Sequence, residues 1–193
     1  MRLDPETGLL EGARFTASPH CDERPAGTEI DLLVVHGISL PPGEFGGEWI
    51  EQLFTGRLRF DAHPYFPQLR DLKVSAHFLI RRDGSLQQFV STRQRAWHAG
   101  VSRFQGREVC NDFSVGIELE GSDELPYAPP QYLQLATLAH TLMQAYPGIT
   151  AERMVGHSDI APGRKTDPGP AFDWACFRAT LASAAAGRLT RRP

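Results

Sequence analysis

Two of the seven histidines stand where a run of strand-forming residues gives way to a loop: His36 after Leu32-Leu33-Val34-Val35, and His157 after Met154-Val155-Gly156. Strand ends suit a functional site, because the sheet fixes the backbone while the side chain projects into a cleft. One such histidine alone is adequately explained as a hydrogen-bonded structural residue, so a metal reading needs a set. Asp167, ten residues beyond His157 in the loop Arg164-Lys165-Thr166-Asp167-Pro168-Gly169-Pro170, completes one. Two neutral imidazoles and a carboxylate would give a zinc ion three nitrogen or oxygen ligands and leave a fourth position for water, the arrangement of a catalytic site. Asp167 also admits a plainer reading, as a loop carboxylate that caps a turn before Pro168.

Water activated in this way needs a proton acceptor. Residues 113–120 alternate, with Val115, Ile117 and Leu119 on one face and Gly116, Glu118 and Glu120 on the other. Glu118 is the better-placed base, since Gly116 leaves space beside it. Glu120 shares that face, however, and on strand logic alone both carboxylates could simply meet solvent. Lys165, two residues before Asp167, could set a cation over the oxyanion formed when water adds to an amide carbonyl, or be an ordinary solvated loop lysine.

The elements that must position these groups are legible in outline. The apolar, branched run at 30–35 suits a strand buried on both faces, with His36 at its end. Residues 39–47 are too rich in Pro and Gly for regular structure, a short helix is expected at about 48–54, and 55–72 reads as a long loop able to wall one side of a cleft. Asp83-Gly84 between extended runs at 77–80 and 86–90 predicts a hairpin. Leu135, Leu138, Ala139, Leu142 and Met143 recur at helical spacing within 130–146, with Pro147-Gly148 as the stop. A short strand at 154–156 should deliver His157, 172–186 reads as a closing helix, and the tail at 188–193 should fray. Strands first mixed with and then followed by helices imply a single α/β or α+β domain, with a central mixed sheet flanked by helices in three layers.

Composition narrows the function classes. A chain of 193 residues has the size of one domain, and 20 Lys+Arg against 23 Asp+Glu leaves a formal charge of −3, without the basic surplus of a nucleic-acid binder. The start lacks the apolar core of an export signal and no apolar run approaches a membrane span, so a cytoplasmic protein is expected. Cys21, Cys110 and Cys176 are odd in number and free of C-x-x-C pairing, which argues against a disulfide framework and a thiolate zinc site.

Several long segments together resemble one family: V-V-H-G-I-S-L-P-P-G-E-F-G-G (34–47), V-S-A-H-F-L-I-R-R-D-G (74–84), R-A-W-H-A-G-V-S (95–102), C-N-D-F-S-V-G-I-E-L-E-G (110–121) and G-H-S-D-I-A-P-G-R-K-T-D-P-G-P-A-F-D-W (156–174). They are similar to the cytoplasmic 1,6-anhydro-N-acetylmuramyl-L-alanine amidases of Gram-negative cell-wall recycling, the AmpD type, within the amidase and peptidoglycan-recognition fold. The likeness runs from about residue 18 to 177. It implies a zinc site of His36, His157 and Asp167, Glu118 as base, and Lys165 as the residue that stabilises the transition state. The implied reaction is hydrolysis of the amide between the lactyl group of anhydro-muramic acid and L-alanine. A monomer acting on a small-molecule muropeptide is expected, with no organic cofactor and, from the charge balance and the lack of a long apolar run, no nucleic-acid or membrane partner.

The departures from the family pattern fall near the substrate. Gly37, Lys73 and Val109 stand where members commonly have Asn, Arg and Arg, at positions associated with holding the peptide. Lys73 keeps a charge but not a bidentate fork. Trp97 could offer a flat surface to the sugar and Arg164 a charge to the peptide. Two rival readings are a peptidoglycan-binding module that does not cut, for which a metal ligand would typically be missing, and an autolysin acting on intact wall.

Overall fold

The apolar run forms a strand, and its surroundings explain why it is apolar throughout. The structure, a computed structural model, describes residues 1–187; the tail expected to fray lies outside them. Six strands form the main sheet, in the order β1 (Arg14–Phe15), β5 (Leu86–Gln88), β4 (Phe78–Ile80), β9 (Ser114–Glu120), β3 (Leu32–Ile38) and β10 (Met154–Gly156). The pairs β4–β9, β9–β3 and β3–β10 are parallel and β4–β5 is antiparallel, so the sheet is mixed as expected. Central parallel strands are covered on both faces, which is why Leu32, Leu33, Val34 and Val35 are all fully buried.

On one face Leu33, Val35, Val115, Ile117 and Leu119 pack against helices α2 (Pro129–Ala145) and α4 (Trp174–Ala185), through Leu135, Leu138, Leu142, Phe177 and Leu181. Burial of each such side chain contributes about 1.5–3 kcal/mol before the cost of ordering it. On the other face lie α1 (Trp49–Phe54) and the segment after it, which buries Leu58 and Phe66 against Leu79 and Phe89. The expected long loop thus packs into a second core, with a single 3₁₀ turn at Phe66–Leu69. Leu32 and Val34 meet Ala99, Cys110, Phe113 and Ile160 in a third cluster. The result is an α+β fold with helices on both sides of a mixed sheet.

The α2 helix starts at Pro129, whose missing N–H costs nothing in a first turn. Gln131 accepts the Ala128 N–H at 2.9 Å and donates to the carbonyls of Ile80 and Glu120, tying the helix start to β4 and β9. The closing helix begins at Trp174, two residues later than the spacing predicted. Phe172 instead joins an aromatic cluster with Tyr127, Tyr132, Trp174 and Phe177, and Asp173 caps the helix by accepting the Cys176 N–H.

Two further differences bear on the site. The strand expected to stop before His36 continues to Ile38, because Gly37 and Ile38 keep pairing with Leu119 and Glu120, so His36 lies inside a central strand. His157 does not enter a loop directly; it opens the one-turn helix α3 (His157–Ile160). Two small antiparallel pairs, β2 (Cys21–Glu23) with β6 (Gln94–Ala96) and β7 (Arg103–Phe104) with β8 (Arg107–Glu108), are too short for periodicity to have revealed. Among the described residues no helix is long and apolar enough to cross a membrane.

Candidate metal centre

Three chain segments converge at one point beside β3. His36 projects from inside β3, and β10 pairs parallel to that strand with Gly156 opposite Val35, so His157 emerges next to it. The loop after α3 folds back on itself: the Lys165 N–H donates to the Ala161 carbonyl and the Ser158 N–H to the Asp167 carbonyl, both at 3.0 Å. That return brings the Asp167 carboxylate to both imidazoles. His36 Nδ1 and His157 Nδ1 are 2.9 Å apart, and Asp167 Oδ2 lies 3.2 Å from the first and 3.1 Å from the second.

This donor set fits a divalent cation. Ligands at ~2.0–2.1 Å from a tetrahedral zinc are about 3.3 Å from one another, close to the edges of this triangle. Among the described residues, His36, His157 and Asp167 form the cluster able to hold a metal. Their protonation also suits one. Burial, outweighing the pull of Asp167, pushes the His36 pKa down to about 4. Burial would raise that of Asp167, but its close contacts with the His157 and His36 rings hold its carboxyl well below the usual carboxylate range. Neutral imidazoles and an ionised carboxylate are what a cation requires. His157 Nε2 lies 3.1 Å from the Ala99 carbonyl, which can only accept, and 3.4 Å from the Arg164 guanidinium, which can only donate; the nearer carbonyl takes the ring proton and leaves Nδ1 bare.

Glu118 is the register partner of His36 across β3–β9 and leaves the sheet on the same side. Its Oε2 is buried without a hydrogen-bond partner. Burial and then the Asp167 charge push its pKa well above the ordinary value, with Lys165 pulling it back. Lys165 is exposed in the returning loop, and its charge, after burial and nearer groups, weakly opposes a proton on His36. Glu120, the other carboxylate of that face, is committed elsewhere: it pairs with Arg81 at 3.0 Å and accepts the N–H groups of Gly46 and Arg82.

Among the residues singled out for substrate, Arg164 reaches this cluster, its Nη2 lying 3.4 Å from His157 Nε2. Lys73 is exposed. Trp97 is half-buried, stacked on His20 with its indole N–H donated to Asp22 at 3.0 Å. Arg164 donates to the carbonyls of Ala99 and Val101, which fastens the 99–101 loop over His157. Gly37 has a local cause: a Cβ there would come within 2.2 Å of the Tyr127 hydroxyl, which donates to the Pro168 carbonyl at 2.9 Å.

Sequence reasoning assigned no role to His77, His98, Ser114 or Tyr127. The space beside Gly116 is not empty, since a Cβ there would lie 2.4 Å from the ring of His98, whose Nδ1 is 2.9 Å from His36 Nε2. The available signal was the Trp97-His98-Ala99-Gly100 motif, but nothing in its spacing indicates what that histidine meets.

Comparison with known proteins agrees with this geometry. The family description N-acetylmuramoyl-L-alanine amidase matches residues 26–170, a span that includes His36, Glu118, His157, Lys165 and Asp167. The chain is 59% identical over 186 residues to the 1,6-anhydro-N-acetylmuramyl-L-alanine amidase AmpD of Salmonella typhimurium (strain SL1344), covering 96% of this chain and 99% of that protein. It superposes on the crystal structure of a selenomethionine AmpD derivative with a TM-score of 0.90 and 60% identity, over 94% of this chain and 99% of that one. With the E. coli N-acetylmuramyl-L-alanine amidase AmiD, solved in complex with the substrate anhydro-N-acetylmuramic acid-L-Ala-D-gamma-Glu-L-Lys, the TM-score is 0.57 at 30% identity, covering 82% of this chain and 60% of that one. The mixed sheet, the convergent His-His-Asp cluster and the near full-length likeness lead to one assignment: this chain belongs to the N-acetylmuramoyl-L-alanine amidase family.

Proposed function

We infer that this chain is a zinc-dependent amidase that hydrolyses the bond between the lactyl group of 1,6-anhydro-N-acetylmuramic acid and L-alanine in soluble muropeptides, working as a monomer in the cytoplasm. The observation that carries the reading is the triangle of His36 Nδ1, His157 Nδ1 and Asp167 Oδ2 beside the unpartnered Glu118 carboxylate. The names of its relatives supply the substrate class, since AmpD is described as a 1,6-anhydro-N-acetylmuramyl-L-alanine amidase and AmiD was solved with an anhydro-muramyl peptide.

His36, His157 and Asp167 would hold the zinc, which when bound lowers the pKa of water towards about 7 and polarises a carbonyl oxygen. Glu118 faces the same point and takes the proton as water oxygen bonds to the lactyl carbonyl carbon. Its raised affinity for protons suits it to carry that proton and release it again. Lys165 brings a positive charge to the oxygen on which negative charge develops. When the carbon–nitrogen bond breaks, Glu118 returns the proton to the alanine nitrogen, giving a carboxylic acid and a free stem peptide. Lys73 and Trp97 are the side chains proposed to contact peptide and sugar. Arg164, already bonded to Ala99 and Val101, would act through the backbone it fastens or through its remaining N–H groups.

The test is mass spectrometry of products from purified anhydro-muropeptides of different peptide lengths, with and without a chelator, alongside intact sacculi. Release of stem peptide from the soluble substrates, abolished by chelation and restored by zinc, is the expected result. No cleavage under any condition would favour a binding protein, and preferential cleavage of sacculi would favour an autolysin.

A further inference from the structure

A neutral imidazole carries one proton, so one ring nitrogen can bind a metal only when the proton sits on the other. For His157 the Ala99 carbonyl, at 3.1 Å the nearer Nε2 partner ahead of the Arg164 guanidinium at 3.4 Å, takes the proton. For His36 the Nε2 partner is another imidazole nitrogen, His98 Nδ1, which could serve as donor or acceptor. The groups behind His98 remove the ambiguity. His98 Nε2 lies 3.1 Å from Ser114 Oγ, and Ser114 Oγ lies 2.6 Å from the Cys110 carbonyl oxygen.

The direction of this chain is fixed from its far end. A carbonyl only accepts, so the Ser114 hydroxyl gives its one proton to Cys110 and must accept from His98. His98 then carries its proton on Nε2 and presents a lone pair at Nδ1. That lone pair accepts the Nε2–H of His36, which leaves His36 Nδ1 bare and aimed at His157 and Asp167. The relay is screened from water, with His36, His98, Ser114 and Cys110 all buried. It is also built into the strand: Ser114 opens β9, and Gly116 on the same face has no side chain because the His98 ring fills that space. The asparagine side chain of Asn111 holds the backbone of the histidine, accepting the N–H groups of His98 and Ala99 at 3.1 and 2.8 Å.

We propose that His98 is a positioning residue which, with Ser114 and the Cys110 carbonyl behind it, locks His36 as the Nε2–H tautomer and so keeps Nδ1 available as a metal ligand. The proposal rests on the reading of His36 as a ligand, and its test separates the two. Long-range proton–nitrogen NMR of the full-length, histidine-labelled protein near neutral pH reads each ring's tautomer, before and after zinc is added. Both His36 and His98 should be Nε2–H in either state. A proton on His98 Nδ1, or on both its nitrogens, overturns the relay even if zinc binds normally. Zinc that leaves the His36 signals unmoved overturns the ligand reading even if the tautomers are as stated.

Zinc affinity, measured by competition with a chromophoric chelator, gives a second readout. His98→Leu should weaken binding by about ten- to a hundredfold, the usual effect of removing a group that orients a metal-binding histidine. His98→Asn, which puts an amide oxygen near the place of Nδ1, should recover most of that loss. Thermal unfolding of the zinc-free proteins separates loss of fold from loss of orientation. A His98→Leu variant that stays folded and binds zinc within about twofold of wild type, or an asparagine that binds no better than the leucine, would refute the proposal.

Discussion

His36 and Glu118 are register partners on adjacent parallel strands, β3 and β9, in the interior of the six-stranded sheet. Their spacing is therefore set by backbone ladder hydrogen bonds between buried strands, the least deformable part of the molecule. Asp167 and Lys165, by contrast, arrive on a loop that must fold back to meet them. This division of labour suggests which changes should alter chemistry alone and which should disturb the site's assembly.

Glu118→Gln keeps shape and strand pairing while removing the proton acceptor. The variant should retain fold and zinc content but lose at least about a hundredfold in kcat, as measured by steady-state assay on an anhydro-muropeptide. Turnover near that of wild type would remove Glu118 from the role of base. Glu120→Gln should act differently, through lost ion pairing with Arg81, and show mainly as reduced thermal stability.

Asp167→Ala takes one corner from the donor triangle. Wild-type protein purified without chelator should carry near-stoichiometric zinc by elemental analysis, and the variant should lose most of it on dialysis. Equal retention by the two proteins would show that the carboxylate is not a ligand.

Lys165→Ala should lower kcat more than it raises KM, because its charge matters most when the carbonyl oxygen becomes negative. The opposite pattern would recast Lys165 as a substrate anchor.

Acid should destabilise the zinc-free protein through His77. Its Nδ1 accepts the Gly116 N–H at 3.0 Å and its Nε2 lies 3.1 Å from the Gln94 carbonyl, so the folded state holds the ring neutral. Burial, followed by the Arg24 guanidinium, pushes its pKa down to about 3. The unfolded chain takes up this proton near pH 6.5 and the folded one does not, so this contribution is complete above about pH 6.5. It is lost as the pH falls towards about 3, at up to about 1.4 kcal/mol per pH unit. Urea unfolding across that range should show the decline, with a shallower slope in His77→Gln.

Gly37→Ala should drive a methyl group into the Tyr127 hydroxyl and break its bond to Pro168, beside Asp167. A loss of about 1–3 kcal/mol is expected from overpacking. Adding Tyr127→Phe removes the colliding atom, so the double variant should be more stable than the sum of the single effects allows. Strict additivity in denaturant melts would show that the two residues do not meet.

Much of this protein can be read from its sequence, since strand and helix periods depend on neighbours a few residues apart. The run at 32–35, the Asp83-Gly84 hairpin, the alternation at 114–120 and the helix at 129–145 all follow from local rules, and the motif likeness named the His36, His157, Asp167, Glu118 and Lys165 set. What a local rule cannot supply is which distant groups meet. That Gly116 makes room for His98, that Gly37 yields to Tyr127, that Glu120 is held by Arg81 and Gly46, and that Arg164 closes on two carbonyls were all decided by tertiary packing. The choice of His36 Nδ1 as the bare nitrogen belongs there too. A ring proton's position is fixed by its hydrogen-bond partners, and those partners, His98, Ser114 and Cys110, reach His36 only through the folded chain.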